Sequence, residues 1–193
     1  KEGKGVEQNY AKGIECYEKA ADLGCSNAFY SLGILYEEGK GVEQNYAKTI
    51  QCYEKAADLG FSTAFYNLGI LYKEGKGVEQ DYTKAVEYYQ KAADSGCPEA
   101  LSNLGVCYEG GTGVEQNYTK AVECYEKAAN LGCGVAFYNL GDSYEYGKGV
   151  DQNYAKAIEC YEKAADLGCA IALYTLGVCY NDGKGVEQDH TKA

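Results

Sequence analysis

The pattern G-x-G-V recurs at Gly3–Val6, Gly39–Val42, Gly75–Val78, Gly111–Val114, Gly147–Val150 and Gly183–Val186, each copy 36 residues after the last with no insertion. A fixed period of this length means one small supersecondary unit used repeatedly, and such a unit buries its apolar face only by stacking on its neighbours. The 193 residues hold five full periods and part of a sixth. We read them as a single array over residues 1–193. The chain opens inside a period at Lys1 and stops at Ala193 in what should be another helix, with no Met anywhere and no polar capping helix. It therefore reads as a piece of a longer protein, truncated at both ends.

Within a period, Asn45 and its equivalents Asn9, Asp81, Asn117, Asn153 and Asp189 stand where a side-chain oxygen takes the first free amides of a helix. Tyr46, Ile50, Tyr53 and Ala57 then follow at i, i+4, i+7 and i+11, one apolar stripe with charges opposite. Gly60, with Gly24, Gly96, Gly132 and Gly168, supplies the left-handed residue that ends this helix. A second helix carries Ala64, Leu68 and Tyr72 every four residues, with Gly69 among them. A glycine inside a helix costs about 1 kcal/mol relative to alanine, so its return in every copy marks a contact too close for a side chain. The predicted fold class is all-α, an α/α right-handed superhelical solenoid of 36-residue helix–turn–helix repeats.

Charge narrows the partners. The chain carries 29 acidic against 18 basic side chains, a formal charge of −11; nucleic acid and anionic membranes, which need a cationic face, are disfavoured. No apolar run approaches the roughly 20 residues of a membrane helix, and no stretch has signal-peptide character.

The unit A-x-Y-N-L-G-x-x-Y, G-K-G-V, Y-x-K-A-x-x-x-Y-x-K-A-A resembles the Sel1-like repeat, a relative of the tetratricopeptide repeat. Ala64, Tyr66, Asn67, Leu68, Gly69, Tyr72, Gly75, Gly77, Val78, Tyr82, Lys84, Ala85, Tyr89, Lys91, Ala92 and Ala93 fall in place, and the likeness covers the whole chain. It implies an adaptor or scaffold that assembles protein complexes.

The ten cysteines follow the repeat: Cys16, Cys52, Cys124 and Cys160 in one phase, Cys25, Cys97, Cys133 and Cys169 in a second, Cys107 and Cys179 in a third. Same-phase pairs are at least one helix spacing of ~8–10 Å apart, beyond the ~7 Å limit of a bridge. Cys16 and Cys25 are separated along the helix axis by about 12 Å. Only Cys160 with Cys179 is placed for bridging. In the secreted, cysteine-rich branch of the family, bridges join the last turn of one helix to the middle of the next, where this chain has Ala21, Ala57 and Ala129, and Phe29, Phe65 and Phe137. The thiols are read as reduced, buried small hydrophobes, which leans to a reducing, cytoplasmic compartment; a secreted or periplasmic one stays open.

No cofactor or metal site is expected. The sequence has no C-x-x-C, and its single histidine, His190, is the fourth residue counted from the end. G-K-G-V lacks the strand and the Lys-Ser/Thr of a phosphate loop, and no serine begins Ser-x-x-K. The carboxylates are assigned to solvent faces and loops, and no nucleophile, base and orienting group occur together. A thiol redox or ring-opening enzyme is the remote reading.

The resemblance places binding on the concave face. The candidate residues are Tyr30, Tyr66, Asn67, Glu99, Asn103, Tyr138, Asn139, Asp142 and Tyr174. Asn67, Asn103 and Asn139 stand one repeat apart, and an amide both donates to and accepts from a peptide backbone; the alternative is that they hydrate an exposed face or bond a neighbouring helix. Glu38, Glu74, Tyr146 and Asp182 occupy positions that are basic in tetratricopeptide modules gripping a terminal carboxylate. A neutral or basic protein segment is therefore the expected partner. The competing reading is an architectural spacer that self-associates end to end.

Overall fold

The computed structural model describes residues 9–184. The first G-x-G-V copy, the end of the last one and His190 lie outside these residues. Ten helices follow in order: α1 (Tyr10–Asp22), α2 (Ser26–Glu38), α3 (Tyr46–Asp58), α4 (Thr63–Glu74), α5 (Tyr82–Asp94), α6 (Pro98–Gly110), α7 (Tyr118–Asn130), α8 (Gly134–Tyr146), α9 (Tyr154–Asp166) and α10 (Ala170–Asp182). The described residues contain no strand, so the fold is the all-α helix–turn–helix solenoid that the period demands. They form two compact units that meet at the Ala92–Ala93 bond, inside α5.

The start of each repeat's first helix follows from the polar residue before it, whereas the second helices start without a side-chain cap. Asn45 Oδ1 accepts from the Lys48 amide at 3.0 Å, Asp81 Oδ1 from Lys84 at 3.0 Å, and Asn117 Oδ1 from Lys120 at 2.9 Å, which satisfies one otherwise unpaired amide per helix. The loops carry a second device not read from the sequence. Gln44, Gln80, Gln116 and Gln152 each donate Nε2 to the backbone carbonyl of the residue seven positions earlier, at 2.7–2.8 Å. That bond ties the loop back to the last turn of the second helix, where carbonyls lack intrahelical donors.

In the first unit, α2 packs on α1 and more closely on α3; in the second, α6 on α7 and α8 on α9 repeat the closer approach. The tight seam thus lies between successive repeats, and glycine is its cause. A Cβ on Gly69 would stand 2.5 Å from Tyr89 Cε1, and one on Gly141 2.5 Å from Tyr161 Cε1. Tyr53, Tyr89, Tyr125 and Tyr161 are each 0% exposed. The rest of the core is small: Ala56, Ala57, Ala64, Leu68 and Leu71 in one cluster, and Ala157, Ile158, Ala164, Ala172 and Leu176 in another. Small residues let the helix axes approach, and the tyrosine rings fill what remains.

Candidate functional site

The sequence-predicted residues lie on the second helix of each repeat. In the first unit, Tyr30 on α2 and Tyr66 and Asn67 on α4 are half-buried. The Tyr30 ring rests 4.4 Å from Phe61 and 5.5 Å from Tyr53, centroid to centroid. Asn67 Nδ2 donates to the Tyr30 hydroxyl at 3.2 Å. Here the amide bonds a neighbouring helix, one of the two roles left open above. In the second unit, Asn103, Tyr138, Asn139 and Asp142 are half-buried, whereas Glu99 and Tyr174 are exposed, Tyr174 to 74%. Position 102 carries a buried serine instead of the tyrosine of other copies, so the phenol that takes the Asn67 amide has no counterpart for Asn139.

Three carboxylates leave the solvent role that sequence reading gave them. Tyr53 Oη donates to Glu37 Oε2 at 2.7 Å, Tyr125 Oη to Glu109 Oε2 at 2.9 Å, and Tyr161 Oη to Glu145 Oε2 at 2.8 Å. Burial holds these three phenols well above the ordinary tyrosine range, and the adjacent carboxylates add to it. A buried hydroxyl without an acceptor costs about 1–3 kcal/mol, which explains why a glutamate recurs sixteen residues before these tyrosines. That spacing was the available signal.

Helix α8 departs from the other copies at two positions on this face. Asp142 stands where the other copies have Ile34, Ile70, Val106 and Val178, and Tyr146 where they have Glu38, Glu74, Gly110 and Asp182. Between α8 and α10 lies a recess of about 300 Å³, lined chiefly by Tyr138, Asp142, Glu145, Tyr146, Tyr174 and Lys184, the Lys184 ammonium standing 3.9 Å from Glu145. Burial raises the Asp142 carboxyl above its ordinary value; the charges of Glu145 and Glu109 add to this, and hydrogen bonds from Tyr161 and Tyr138 oppose it. The sign follows. A carboxyl with a raised folded-state value contributes stability that is fully present below its unfolded value of about 3.9 and lost as pH rises through the folded value. Ionised Asp142 therefore works against folding.

The acidic positions toward the loops behave differently from their sequence reading. Glu38 pairs with Lys40 at 2.8 Å and Glu74 with Lys76 at 2.6 Å, so each is offset within its own loop. Tyr146 has no charge to offer, and Lys148 reaches Glu109 at 2.8 Å instead.

All ten cysteines are free, but they are not uniformly buried. Cys107, Cys124, Cys160 and Cys179 are buried, Cys52, Cys97, Cys133 and Cys169 half-buried, and Cys16 and Cys25 exposed. Among the described residues no helix covers the face of α1 that carries Cys16. Cys160 packs with Tyr125 and Leu140, and Cys179 with Ala157 and Ile158; the two occupy different clusters. Burial raises the thiols of Cys52 and Cys124, and pushes that of Cys160 up to about 11. With a disulfide-exchange reagent at neutral pH, Cys16 and Cys25 are expected to react at once and Cys124 and Cys160 only on unfolding. Mass mapping of the labelled sites checks this; early labelling of Cys160 would contradict its packing. Among the described residues no group of three or more histidine, cysteine or acidic side chains is placed to hold a metal, and no helix is long and apolar enough to cross a membrane.

The comparisons agree with this architecture. The Sel1 repeat family matches at residues 1–25, 26–61, 63–97, 98–133, 135–169 and 170–193. A protective antigen of uropathogenic Escherichia coli with an SLR fold is 36% identical and superimposes with a TM-score of 0.87 over 94% of this chain. The chain spans 38% of that antigen's length. A Sel1 repeat protein from Oxalobacter formigenes is 31% identical, with a TM-score of 0.82 over 93% of this chain and 76% of its own. Helicobacter pylori cysteine rich protein B is 31% identical, with a TM-score of 0.54 over 69% of this chain and 97% of its own. Among curated proteins, none matches in sequence. Sel1 repeat proteins are generally non-catalytic scaffolds for protein interaction. Six registered copies, the capped helix pairs and the glycine–tyrosine seam together leave one assignment: this chain belongs to the Sel1 repeat family.

Proposed function

We propose that the chain is a non-enzymatic scaffold that holds a partner polypeptide along the second helices of its second unit, α6, α8 and α10. The observation that carries this reading is the state of the second unit's polar groups. Asn103 and Asn139 are half-buried on that face, and Ser102 deprives Asn139 of the phenol that the corresponding amide uses in the first unit. An amide so placed has donors and an acceptor to give to a peptide backbone. Solved relatives include immunity proteins of Pseudomonas aeruginosa, which supports a role in binding other proteins. The net charge of −11 and the carboxylates of α8 favour a neutral or basic segment.

Selection from a random peptide library tests the proposal. The chain is expected to enrich a peptide family, and Asn103→Ala with Asn139→Ala to bind it roughly 10–30-fold more weakly, the loss of two hydrogen bonds worth about 1 kcal/mol each. No enrichment, or equal binding by the double variant, would remove the face from the account. An end-to-end architectural array competes, because Ile171, Leu173 and Tyr174 of α10 are 54%, 60% and 74% exposed. Light scattering that shows growth of the particle with concentration would favour that array.

A further inference from the structure

We infer that this chain associates head to tail with a second copy, the α1 face of one molecule docking on the α10 face of the next. The pattern for that contact is already present four times within the chain. Gly33, Gly69, Gly105 and Gly141 each seat the ring of the tyrosine twenty residues later, Tyr53, Tyr89, Tyr125 and Tyr161, and all four rings are fully buried. Two halves of the same seam are left over. Tyr17 holds the ring position on α1 and is 39% exposed. Gly177 holds the seat position on α10, and no tyrosine follows it at that spacing within the 193 residues. It is half-buried, whereas the other four glycines are buried.

The side chains around these two residues are unmatched in the same way. On α1, Cys16 is exposed and Ala20 half-buried, whereas the counterparts Cys124 and Cys160 are buried and Ala56, Ala92, Ala128 and Ala164 fully so. On α10, Leu173 is exposed, while its counterpart Leu101 is buried and Phe29, Phe65 and Phe137 are half-buried. Cys25 is exposed as well. Its counterpart Phe61 lies 4.4 Å, centroid to centroid, from Tyr30, which is the counterpart of Tyr174. Docking by the internal rule therefore brings Tyr17 to Gly177 and Cys25 to Tyr174. Such a contact joins two different faces, so every dimer keeps one unmatched face of each kind and association continues beyond two. The driving force is the burial of apolar side chains that one molecule alone leaves in water.

Sedimentation velocity from micromolar to millimolar concentration tests the contact. The wild-type chain is expected to grow beyond the 20.9 kDa monomer as concentration rises, and labelling of Cys16 and Cys25 to slow by about tenfold as it does. Tyr17→Ala removes the ring and Gly177→Leu fills its seat. Each variant alone is expected to stay monomeric, with circular dichroism and the urea midpoint reporting that it folds. Mixed in equal amounts, the two variants keep one intact face each and are expected to stop at a heterodimer of twice the monomer mass. A wild type that stays at 20.9 kDa would leave the α10 seat to a further repeat of the same polypeptide and overturn self-association. Growth of either folded variant alone, or a mixture that stays monomeric while the wild type grows, would overturn the seam. The contact uses neither Asn103 nor Asn139. A chain that assembles yet selects no peptide therefore loses the scaffold alone, and one that selects peptides yet stays monomeric loses this inference alone.

Discussion

Gly149→Ala is expected to destabilise the second compact unit by about 3 kcal/mol. Two effects add. Gly149 has φ +75°, and a left-handed conformation costs an L-residue about 1–2 kcal/mol. The new Cβ would also meet backbone, 2.5 Å from the Tyr118 carbonyl carbon and 2.9 Å from the Thr119 nitrogen. These atoms belong to the first turn of α7 and cannot rotate away as a side chain would, so overpacking adds about 1–3 kcal/mol. Gly132→Ala separates the two effects, because Gly132 has φ +84° and nothing within 4 Å of its Cβ position. It should cost only the conformational part. Urea unfolding of both variants measures the difference, and equal losses would show that the loop does not bear on α7.

Gly141→Ala should destabilise by about 1–3 kcal/mol even though alanine is the better helix former. Propensity alone predicts a gain of about 1 kcal/mol. Against it stand Tyr161 Cε1 at 2.5 Å and Cδ1 at 2.6 Å from the added carbon. That ring is 0% exposed, and its hydroxyl is bound to Asp142 and Glu145, so it has no free direction in which to move. Overpacking therefore wins. Gly13→Ala gives the opposite sign. Its Cβ would meet nothing within 4 Å, and the equivalent positions already hold Ala85, Ala121 and Ala157. A gain of about 0.5–1 kcal/mol is expected. Matching signs in the two unfolding midpoints would mean that the seam yields where the geometry says it is rigid.

The contrast shows which parts of this molecule a one-dimensional pattern reveals. Period, helix pairs and Asn45-type caps were legible because each acts within one helix or its flanking turn, and the need for Gly69 because a glycine recurs inside a helix against local propensity. Glu37, Glu109 and Glu145 were misread because i, i+4 spacing describes one helix, while their partners Tyr53, Tyr125 and Tyr161 lie on the next. Cys16 was assigned to the core by its phase, yet phase specifies a face and not whether another helix covers it. Of the candidate site, Tyr138, Asp142 and Tyr174 border the recess. That Asp142 and Glu145 converge on the Tyr161 hydroxyl could be seen only once α9 was packed on α8.

The seam between α8 and α9 is closer than the packing of α8 on α7 in its own hairpin, and this sets how the array comes apart. In a nearest-neighbour description, a strong coupling between weak units makes them melt together, whereas weak coupling lets each unit melt alone. Each helix pair here is short and, after the first, seats its largest ring against the glycine of the preceding pair. Cooperativity is therefore carried at the junctions, and a single methyl group at one junction would divide a concerted transition into two.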